Sequence, residues 1–195
     1  QFYNSIKDPF PEIDRRLHIA NPLQKNRFII KEHFEKKPVA DYIEAGIAKI
    51  QYILKTSQKG DILFFLTGSN DINLVAEKLN SETPKYVIAL PLYAELETDR
   101  QNYAKDSLPK EVPIDRKTAT LPLHEQINNS LGKYTRKIVL ATSIAEASVT
   151  IKNLVYVIDI GFSKSSIYNP DIKLATLKAV PISMSSHTQR RGRAG

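Results

Sequence analysis

Three polar side chains close to the end of the sequence are suited to binding a phosphate group. They are Gln189, Arg190 and Arg193, in the segment SSHTQRRGRAG at residues 185–195. A guanidinium is permanently charged, donates to two oxygens at once and neutralises the charge that develops during phosphoryl transfer. A solvated basic tail explains the same residues, so the segment by itself does not decide between a phosphate site and a charged surface.

Hydroxyl side chains form a second polar group, directly after the apolar run RKIVLA at residues 136–141. The turn that follows contains four hydroxyls and one carboxylate: Thr142, Ser143, Glu146, Ser148 and Thr150. Open α/β sheets bind ligands just beyond the carboxyl ends of their parallel strands, which is where this turn would lie. Capping of a following helix by Ser143 or Ser148 is the other interpretation, and the residue types alone slightly favour it.

The elements that would position these side chains alternate between strands and helices. Apolar runs predict strands at residues 27–34, 61–67, 85–90, 136–141 and 154–160, and apolar residues at helical spacing predict helices at residues 39–55, from about 70, and 96–105. Ser69 or Asn70 is the expected N-cap of the second helix. This alternation implies right-handed crossovers. We therefore predict an α/β fold with a mostly parallel sheet of five or six strands and helices on both faces.

Two segments interrupt this alternation. Residues 106–134 contain Pro109, Pro113 and Pro122 and no clean period, which predicts a long surface insertion. Residues 164–182 contain two β-prone stretches separated by a turn near Asn169 to Lys173. That pattern predicts a β-hairpin projecting from the edge of the sheet.

Charge and composition narrow the function classes. Residues 163–195 contain six lysines and arginines against one aspartate, so this segment carries +5 of the formal net charge of +7. Such a surface favours a polyanionic partner such as nucleic acid. The lack of cysteine excludes disulfides, thiolate zinc sites and a cysteine nucleophile. The four histidines do not have metal-ligand spacing and no apolar run is long enough to cross a bilayer, so neither a metal site nor membrane insertion is expected.

Two motifs that bind nucleotide are absent from the sequence. It contains neither GxxxxGK[ST], which cradles phosphates, nor a DEAH or DExD stretch, which holds magnesium. An ATPase built on this chain would take those parts from elsewhere. We therefore expect the isolated chain not to hydrolyse nucleotide.

Five segments, taken in order, resemble the second RecA-like domain of the DEAH-box RNA helicases. They are FLTGSNDI at residues 65–72, LPLYAEL at 90–96, ATSIAEASVTI at 141–151, VYVIDIGFSKSSIYNP at 155–170 and QRRGRAG at 189–195. These resemble the family's motifs IV, IVa and V, its linking hairpin and motif VI. The resemblance runs from about residue 41 to residue 195. It implies that residues 1–26 lead in from a preceding helicase domain, and that residues 27–195 form a RecA-like domain truncated at motif VI.

The resemblance also implies a role for each candidate residue. Gln189, Arg190 and Arg193 would face ATP across a cleft between two RecA-like domains, with Arg193 as the arginine finger. Nucleotide contacts would come from Tyr103, Ser148, Thr150 and Lys152. Contacts with the RNA backbone would come from Gly68, Tyr93, Thr142, Ser143 and Lys164, and the hairpin would act as a wedge beside the RNA.

The cofactors and partners follow from the same resemblance. ATP and Mg²⁺ would be bound mainly by a first RecA-like domain of the same protein, and closure of the two domains would grip single-stranded RNA. An activator protein is a further candidate partner, and no membrane contact is expected. The protein would be intracellular, in the nucleus or nucleolus, with the cytoplasm as the alternative.

Three positions depart from the family pattern. Lys152 stands where an aspartate near the ribose is usual, Arg191 stands where a small residue is usual, and Tyr103 lies about two positions before the usual adenine-stacking aromatic. An inactive helicase-like module that binds RNA or acts as a scaffold is therefore the alternative function. An unrelated Rossmann-like enzyme would need a glycine-rich loop after its first strand, and the sequence has none.

Overall fold

The computed structural model describes residues 29–106, 134–147, 149–170 and 173–194. The helices are α1 Tyr42–Thr56, α2 Ser69–Glu82, α3 Thr98–Lys105, the single turn α4 Ile144–Ala147, and α5 Met184–Arg191. The strands are β1 Asp61–Phe65, β2 Val87–Leu92, β3 Arg136–Ala141, β4 Leu154–Asp159, β5 Phe162–Asn169 and β6 Leu174–Pro181.

A parallel sheet of four strands forms the centre of the described residues. Its strand order is β2-β3-β1-β4, and every neighbouring pair is parallel. Strands β1, β2 and β3 are buried along their whole length, because helices cover both faces, whereas β4 is mostly half-buried at the edge. The predicted α/β fold with a mostly parallel sheet is confirmed, although the described residues form four parallel strands where five or six were expected.

Side chains of β1 alternate between the two faces of this sheet. Ile62 and Phe64 join the core under α1 and α2, while Leu63 and Phe65 join the core on the α3 side. Helix α1 approaches the sheet closely at Gly46, because a Cβ atom there would overlap the ring of Phe64. The glycine in α1 is therefore required by packing.

The two long helices begin in different ways. Helix α1 begins where Asp41 Oδ1 accepts hydrogen bonds from the N–H groups of Ile43 at 2.9 Å and Glu44 at 3.0 Å. The N-cap of α2 is Gly68, which makes no side-chain cap, and Ser69 is already helical. The cap expected at Ser69 or Asn70 is therefore wrong, since the chain turns one residue earlier than the sequence pattern indicated.

The strand expected at residues 27–34 is wrong for the part that the structure describes. Residues 29–34 form no strand, and Ile29 and Phe34 are 91% and 71% exposed. Alternating residue types favour a strand only where a neighbouring strand pairs with its backbone, and these residues lie outside both sheets. The insertion expected at residues 106–134 lies outside the described residues except at its two ends.

The expected hairpin is confirmed. Strands β5 and β6 pair antiparallel from Phe162 with Pro181 to Asn169 with Leu174, as a two-stranded sheet separate from the parallel one. Gly161 has a φ of 76°, which permits the sharp turn between β4 and β5. The hairpin therefore leaves the parallel sheet at the carboxyl end of β4.

A buried arginine begins β3 at the opposite, amino-terminal edge of the sheet. Arg136 is 1% exposed. Its Nε donates to the carbonyl of Gly60 at 2.7 Å, its Nη1 donates to the carbonyl of Ser57, and its guanidinium lies 5.7 Å from the ring centre of Tyr156. These contacts close the loop between α1 and β1.

Lys137, the next residue of β3, is also buried at this edge. Its Nζ donates to the carbonyls of Ala104, at 2.8 Å, and Asp106, and a cation suits this C-terminal end of α3. Its backbone N–H donates to Asp61 Oδ1 at 3.0 Å. Burial lowers the pKa of the Lys137 ammonium and raises the pKa of the Asp61 carboxyl.

Candidate functional site

The carboxyl ends of the parallel strands form one edge of the sheet. Four predicted site residues follow these ends: Gly68 after β1, Tyr93 after β2, and Thr142 and Ser143 after β3. The Thr142 N–H donates to the carbonyl of Leu92 at 3.3 Å, which joins the ends of β2 and β3. Gly68 is buried, Tyr93 and Thr142 are half-buried, and Ser143 is exposed. The structure therefore brings these four residues to a common edge.

Lys164 reaches the same edge from the hairpin. A Cβ atom on Gly68 would lie 2.7 Å from Lys164 Nζ, so the absence of a side chain at residue 68 leaves room for this ammonium. Gly68 is also the N-cap of α2, where backbone N–H groups lack helical partners. Because an ammonium and a helix N-terminus both carry positive charge, an anion next to them would be stabilised by both.

The single turn α4 follows Thr142 and Ser143 directly. The Ala145 N–H donates to the carbonyl of Thr142 at 3.2 Å, and the Glu146 N–H donates to the carbonyl of Ser143 at 2.9 Å. The two hydroxyl-bearing residues thus supply the carbonyls that start the turn. The position of Glu146 therefore depends on the residues that end β3.

Arg190 lies at the buried centre of this region and is 1% exposed. Its Nε is 2.8 Å from Glu146 Oε1, its Nη1 is 2.7 Å from Asp159 Oδ1, and Nη1 also donates to the carbonyl of Phe162 at 3.3 Å. Its guanidinium carbon lies 4.6 Å from the ring centre of Phe65. Arg190 therefore joins α4, the end of β4 and the start of β5, and its guanidinium faces protein groups.

Arg193 lies beside this centre but is only half-buried. Its Nε donates to the carbonyl of Glu146 at 3.0 Å, its Nη2 donates to the same carbonyl, and its Nη1 donates to the carbonyl of Val149 at 2.7 Å. A guanidinium has five N–H donors. One N–H on each terminal nitrogen therefore remains for a ligand, while the backbone orients the group.

Helix α5 carries Gln189 and Arg190 and ends just before Arg193. Its N-cap is Ser183, whose Oγ accepts a hydrogen bond from the Ser186 N–H at 3.1 Å. Gln189 is exposed although it is next to the buried Arg190. Of the three residues expected to contact phosphate, two are accessible and one is enclosed.

The chain that precedes α1 packs against α5. Glu32 Oε1 lies 3.4 Å from His187 Nε2 and 3.5 Å from Arg191 Nη1, and the rings of Phe34 and His187 have centres 6.1 Å apart. These side chains are partly exposed, so the ion pair between Glu32 and Arg191 adds little stability. Arg191, which departs from the family pattern, thus has a surface partner.

Two of the predicted nucleotide-binding residues, Ser148 and Thr150, flank Val149 in the sequence. Thr150 is exposed and follows Val149, whose carbonyl accepts from Arg193. Ser148 lies outside the described residues.

Of the other two predicted nucleotide-binding residues, Tyr103 lies in α3 and Lys152, in the loop before β4, contacts the C-terminal end of that helix. The N–H of Lys152 donates to the carbonyl of Lys105 at 3.0 Å, and its Nζ is 2.9 Å from Asp106 Oδ1. Tyr103, in the same helix, is half-buried against the core. In this conformation the structure does not bring Lys152 or Tyr103 into contact with the arginine segment.

Two carboxylates, Glu146 and Asp159, belong to the site although the sequence pattern indicated no role there for either. Asp159 Oδ1 accepts from the Gly161 N–H at 2.9 Å, and the same oxygen also binds Nη1 of Arg190. One signal was available in the sequence. Both carboxylates lie at or just after the carboxyl end of an apolar run, at the edge where ligands and charged partners gather.

In the part of the chain that the structure describes, no three His, Cys, Asp or Glu side chains are placed to hold a metal ion. Within the same residues, no helix combines the length and the apolar character that crossing a bilayer requires.

Comparison with known proteins identifies one family. The family model described as the helicase conserved C-terminal domain matches residues 45–195. A putative ATP-dependent RNA helicase, R366, of Acanthamoeba polyphaga mimivirus is 35% identical over 94% of this chain and 11% of its own length. A putative pre-mRNA-splicing factor ATP-dependent RNA helicase of Schizosaccharomyces pombe, C20H4.09, is 34% identical over 86% of this chain and 23% of its own length.

Solved structures show the same similarity. The Escherichia coli DExH-box NTPase HrpB superposes with a TM-score of 0.60 at 28% identity, covering 85% of this chain and 17% of that one. A second structure, of the E. coli DEAH/RHA helicase HrpB, gives a TM-score of 0.62 at 30% identity, covering 80% of this chain and 17% of that one. The chain thus spans less than a quarter of the length of each of these relatives and structures.

Proposed function

Since this chain belongs to the helicase conserved C-terminal domain family, as the second RecA-like domain of a DEAH-box helicase, we propose that it supplies the arginine finger and the RNA backbone contacts of an ATP-driven RNA motor. The partner is a first RecA-like domain of the same protein. That domain makes most of the contacts with ATP and Mg²⁺, and single-stranded RNA lies across both domains. The similarity to two proteins named as ATP-dependent RNA helicases supports this proposal.

The observation that carries the proposal is the state of Arg193. Backbone carbonyls of Glu146 and Val149 take three of its five N–H donors, and the side chain is half-buried rather than enclosed. An arginine finger needs this combination, because the guanidinium must be oriented before phosphoryl transfer and must still have donors for the phosphate oxygens.

We assign Arg190 and Gln189 different tasks. Arg190 is enclosed by Glu146, Asp159 and Phe65, so its task is to position the arginine segment rather than to touch ATP. Gln189 is exposed, and we propose that it contacts phosphate together with Arg193. Arg193 is thus the one arginine of this pair that stabilises the charge developing on the γ-phosphate.

We propose that RNA lies along the carboxyl edge of the sheet, which carries Gly68, Tyr93, Thr142 and Ser143 and which Lys164 of the hairpin reaches beside Gly68. The proximity of Lys164 Nζ to Gly68 supports a phosphate contact there. Contacts of this kind give affinity without reading the base sequence. The hairpin itself, which begins at this edge, acts as the wedge beside the RNA.

Nucleotide contacts beyond the arginine finger belong to the closed state. Ser148 and Thr150 are the candidates next in sequence to Val149, whose carbonyl accepts from Arg193. For Lys152 to approach a nucleotide, its ion pair with Asp106 must open, and for Tyr103 to stack on a base, its ring must leave the core. We therefore propose these two contacts only after the domains close.

Closure of the two RecA-like domains links ATP hydrolysis to movement along RNA. ATP between the two RecA-like domains draws them together, and hydrolysis releases them, so the RNA-binding edge moves along the RNA backbone with each cycle. One relative is named as a pre-mRNA-splicing factor, which supports a nuclear RNA-processing role. An activator protein that favours closure fits the same cycle.

The test is RNA-stimulated ATPase activity of the full-length protein. Arg193→Ala is expected to lower kcat about 1,000-fold, the lower end of the range for arginine fingers, and to leave the Kd for RNA within about twofold. Arg191→Ala is the matched control, because Arg191 is an exposed arginine in the same segment whose observed partner is Glu32. Its kcat should stay close to that of the wild type.

Two outcomes would contradict this function. Unchanged kcat in Arg193→Ala would remove this residue from the phosphate site. RNA binding without any RNA-stimulated hydrolysis in the wild-type protein would instead favour the alternative, an inactive module that binds RNA or acts as a scaffold.

A further inference from the structure

We propose that Glu146 is a positioning residue that transmits RNA engagement at Thr142 and Ser143 to the arginine finger Arg193. This inference rests on the proposed function, because it assumes that Arg193 acts on phosphate. The turn α4, with its covalent and hydrogen-bonded contacts, would form the path between the RNA-binding edge and the finger. Glu146 would not contact RNA or nucleotide itself.

The side chain of Glu146 anchors the turn α4 to the buried centre of the site. Its carboxylate is 13% exposed and lies 2.8 Å from Nε of Arg190, which is 1% exposed. Removing one partner of a buried ion pair leaves a charge that water cannot reach, so these pairs resist separation. The anchor therefore fixes α4 relative to helix α5.

The main chain of the same residue holds the finger. The carbonyl of Glu146 accepts from both Nε and Nη2 of Arg193, and the carbonyl of Val149 accepts from Nη1. Two hydrogen bonds to one oxygen, together with a third to a neighbouring residue, fix both the position and the plane of the guanidinium. A displacement of the Glu146 carbonyl therefore displaces Arg193.

The amino end of the turn is the RNA-binding edge. The N–H of Glu146 donates to the carbonyl of Ser143 at 2.9 Å, and the N–H of Ala145 donates to the carbonyl of Thr142 at 3.2 Å. A contact that fixes Thr142 and Ser143 thus fixes the peptide that leads to the Glu146 carbonyl. Only one helical turn separates the RNA contact from the group that orients the finger.

Asp159 provides a comparison within the same ion-pair network. It binds Nη1 of Arg190 at 2.7 Å with a side chain that is 18% exposed, much as Glu146 binds Nε. Asp159 caps the Gly161 turn before the hairpin, however, whereas the carbonyl that holds Arg193 belongs to Glu146. Loss of the Asp159 charge should therefore loosen Arg190 and the hairpin with less effect on the finger.

The experiment compares Glu146→Gln, Asp159→Asn and the control Glu77→Gln in the full-length protein. Glu77 is exposed on α2, away from the arginine segment. At saturating RNA, Glu146→Gln is expected to lower kcat about tenfold, a typical size for coupling between sites, with the KM for ATP within twofold. Asp159→Asn is expected to lower kcat less than threefold, and Glu77→Gln is expected to have no effect.

A double-mutant cycle with Arg193→Ala decides whether Glu146 acts through the finger. If it does, Glu146→Gln lowers kcat less than twofold further once Arg193 is already alanine. The inference would be overturned if Glu146→Gln lowered kcat a further tenfold in the Arg193→Ala background. It would also be overturned if Asp159→Asn lowered kcat as much as Glu146→Gln, or if Glu146→Gln had the kcat of the wild type. If Arg193→Ala alone has no effect, the proposed function fails instead, so the two failures are distinguishable.

Discussion

Both edges of the parallel sheet bury an arginine, but the two arginines are enclosed in different ways. At the amino edge, Arg136 donates to the carbonyls of Gly60 and Ser57. At the carboxyl edge, Arg190 binds the carboxylates of Glu146 and Asp159. Each arginine is 1% exposed. Burial of a charged residue therefore does not by itself distinguish a structural site from a functional one.

The two arginines differ in the elements to which their partners belong and in what else those partners contact. Gly60 and Ser57 belong to one short loop and Tyr156 lies in β4 beside it, so the contacts of Arg136 close that loop against the sheet. The partners of Arg190 come from separate elements, α4 and β4, and one of them also holds the half-buried Arg193. The amino edge is thus closed within itself, whereas the carboxyl edge retains donors for a ligand.

The sharpest test of this comparison is Arg136→Met. We expect it to destabilise the domain by roughly 2–4 kcal/mol, since two carbonyls lose their donor and each unsatisfied buried group costs about 1–3 kcal/mol. The midpoint of thermal unfolding should fall by several degrees, at about 2–4 °C per kcal/mol for a domain of this size. Once corrected for the folded fraction, RNA-stimulated kcat should match the wild type.

The control for that experiment is Arg191→Met, which removes an exposed arginine and should leave the unfolding midpoint nearly unchanged. A tenfold loss of kcat in Arg136→Met with an unchanged midpoint of thermal unfolding would contradict this interpretation, because Arg136 would then contribute to activity and not only to stability.

A smaller effect is expected at the carboxyl edge from Gly68→Ala. The new methyl group would displace Lys164 Nζ, which lies 2.7 Å from its position. We expect the RNA affinity of Gly68→Ala to weaken about fivefold, as for the loss of one phosphate contact. In a second variant, Lys164→Ala, the slope of log K against log salt should decrease by about 0.7. Filter binding or fluorescence anisotropy at several salt concentrations measures both.

The two substitutions should not be additive, because each removes the same contact. Lys178→Ala is the matched control, since Lys178 lies on the other face of the hairpin from Lys164. Full additivity of Gly68→Ala and Lys164→Ala would show that Gly68 serves packing instead of making room for the lysine.

The smallest effect concerns the pH dependence of stability at the amino edge. Burial lowers the pKa of Lys137 below its ordinary 10.5. As the pH rises towards 10.5, the unfolded state therefore binds more protons at this site than the folded state, and the free energy of unfolding gains a positive slope with pH. Lys137→Met should abolish that contribution, which thermal unfolding between neutral and alkaline pH would detect.

Lys152→Met controls for this prediction, because Lys152 is 59% exposed and pairs with Asp106 on the surface. If the free energy of unfolding has the same pH slope in the wild type and in Lys137→Met, folding does not lower the pKa of Lys137. In that case the amino edge would be less enclosed than its contacts indicate.

The sequence predicted most of the fold because buried parallel strands leave a local signal. Apolar runs gave the strand at residues 136–141 as the structure has it, and gave β1 and β4 to within two residues. The strand predicted at residues 27–34 is wrong for residues 29–34, because pairing depends on a neighbouring strand that the local pattern does not contain. The same limit explains why the N-cap of α2 was misplaced by one residue.

The sequence by itself determined the order of the motifs and the edge at which they meet, since the carboxyl ends of parallel strands must lie together. It did not determine which of two arginines three residues apart is available to a ligand. That was decided by Glu146 and Asp159, which lie 44 and 31 residues from Arg190 in the chain and enclose it. Identical guanidinium groups differ in accessibility because burial and pairing depend on neighbours that only the folded chain brings together.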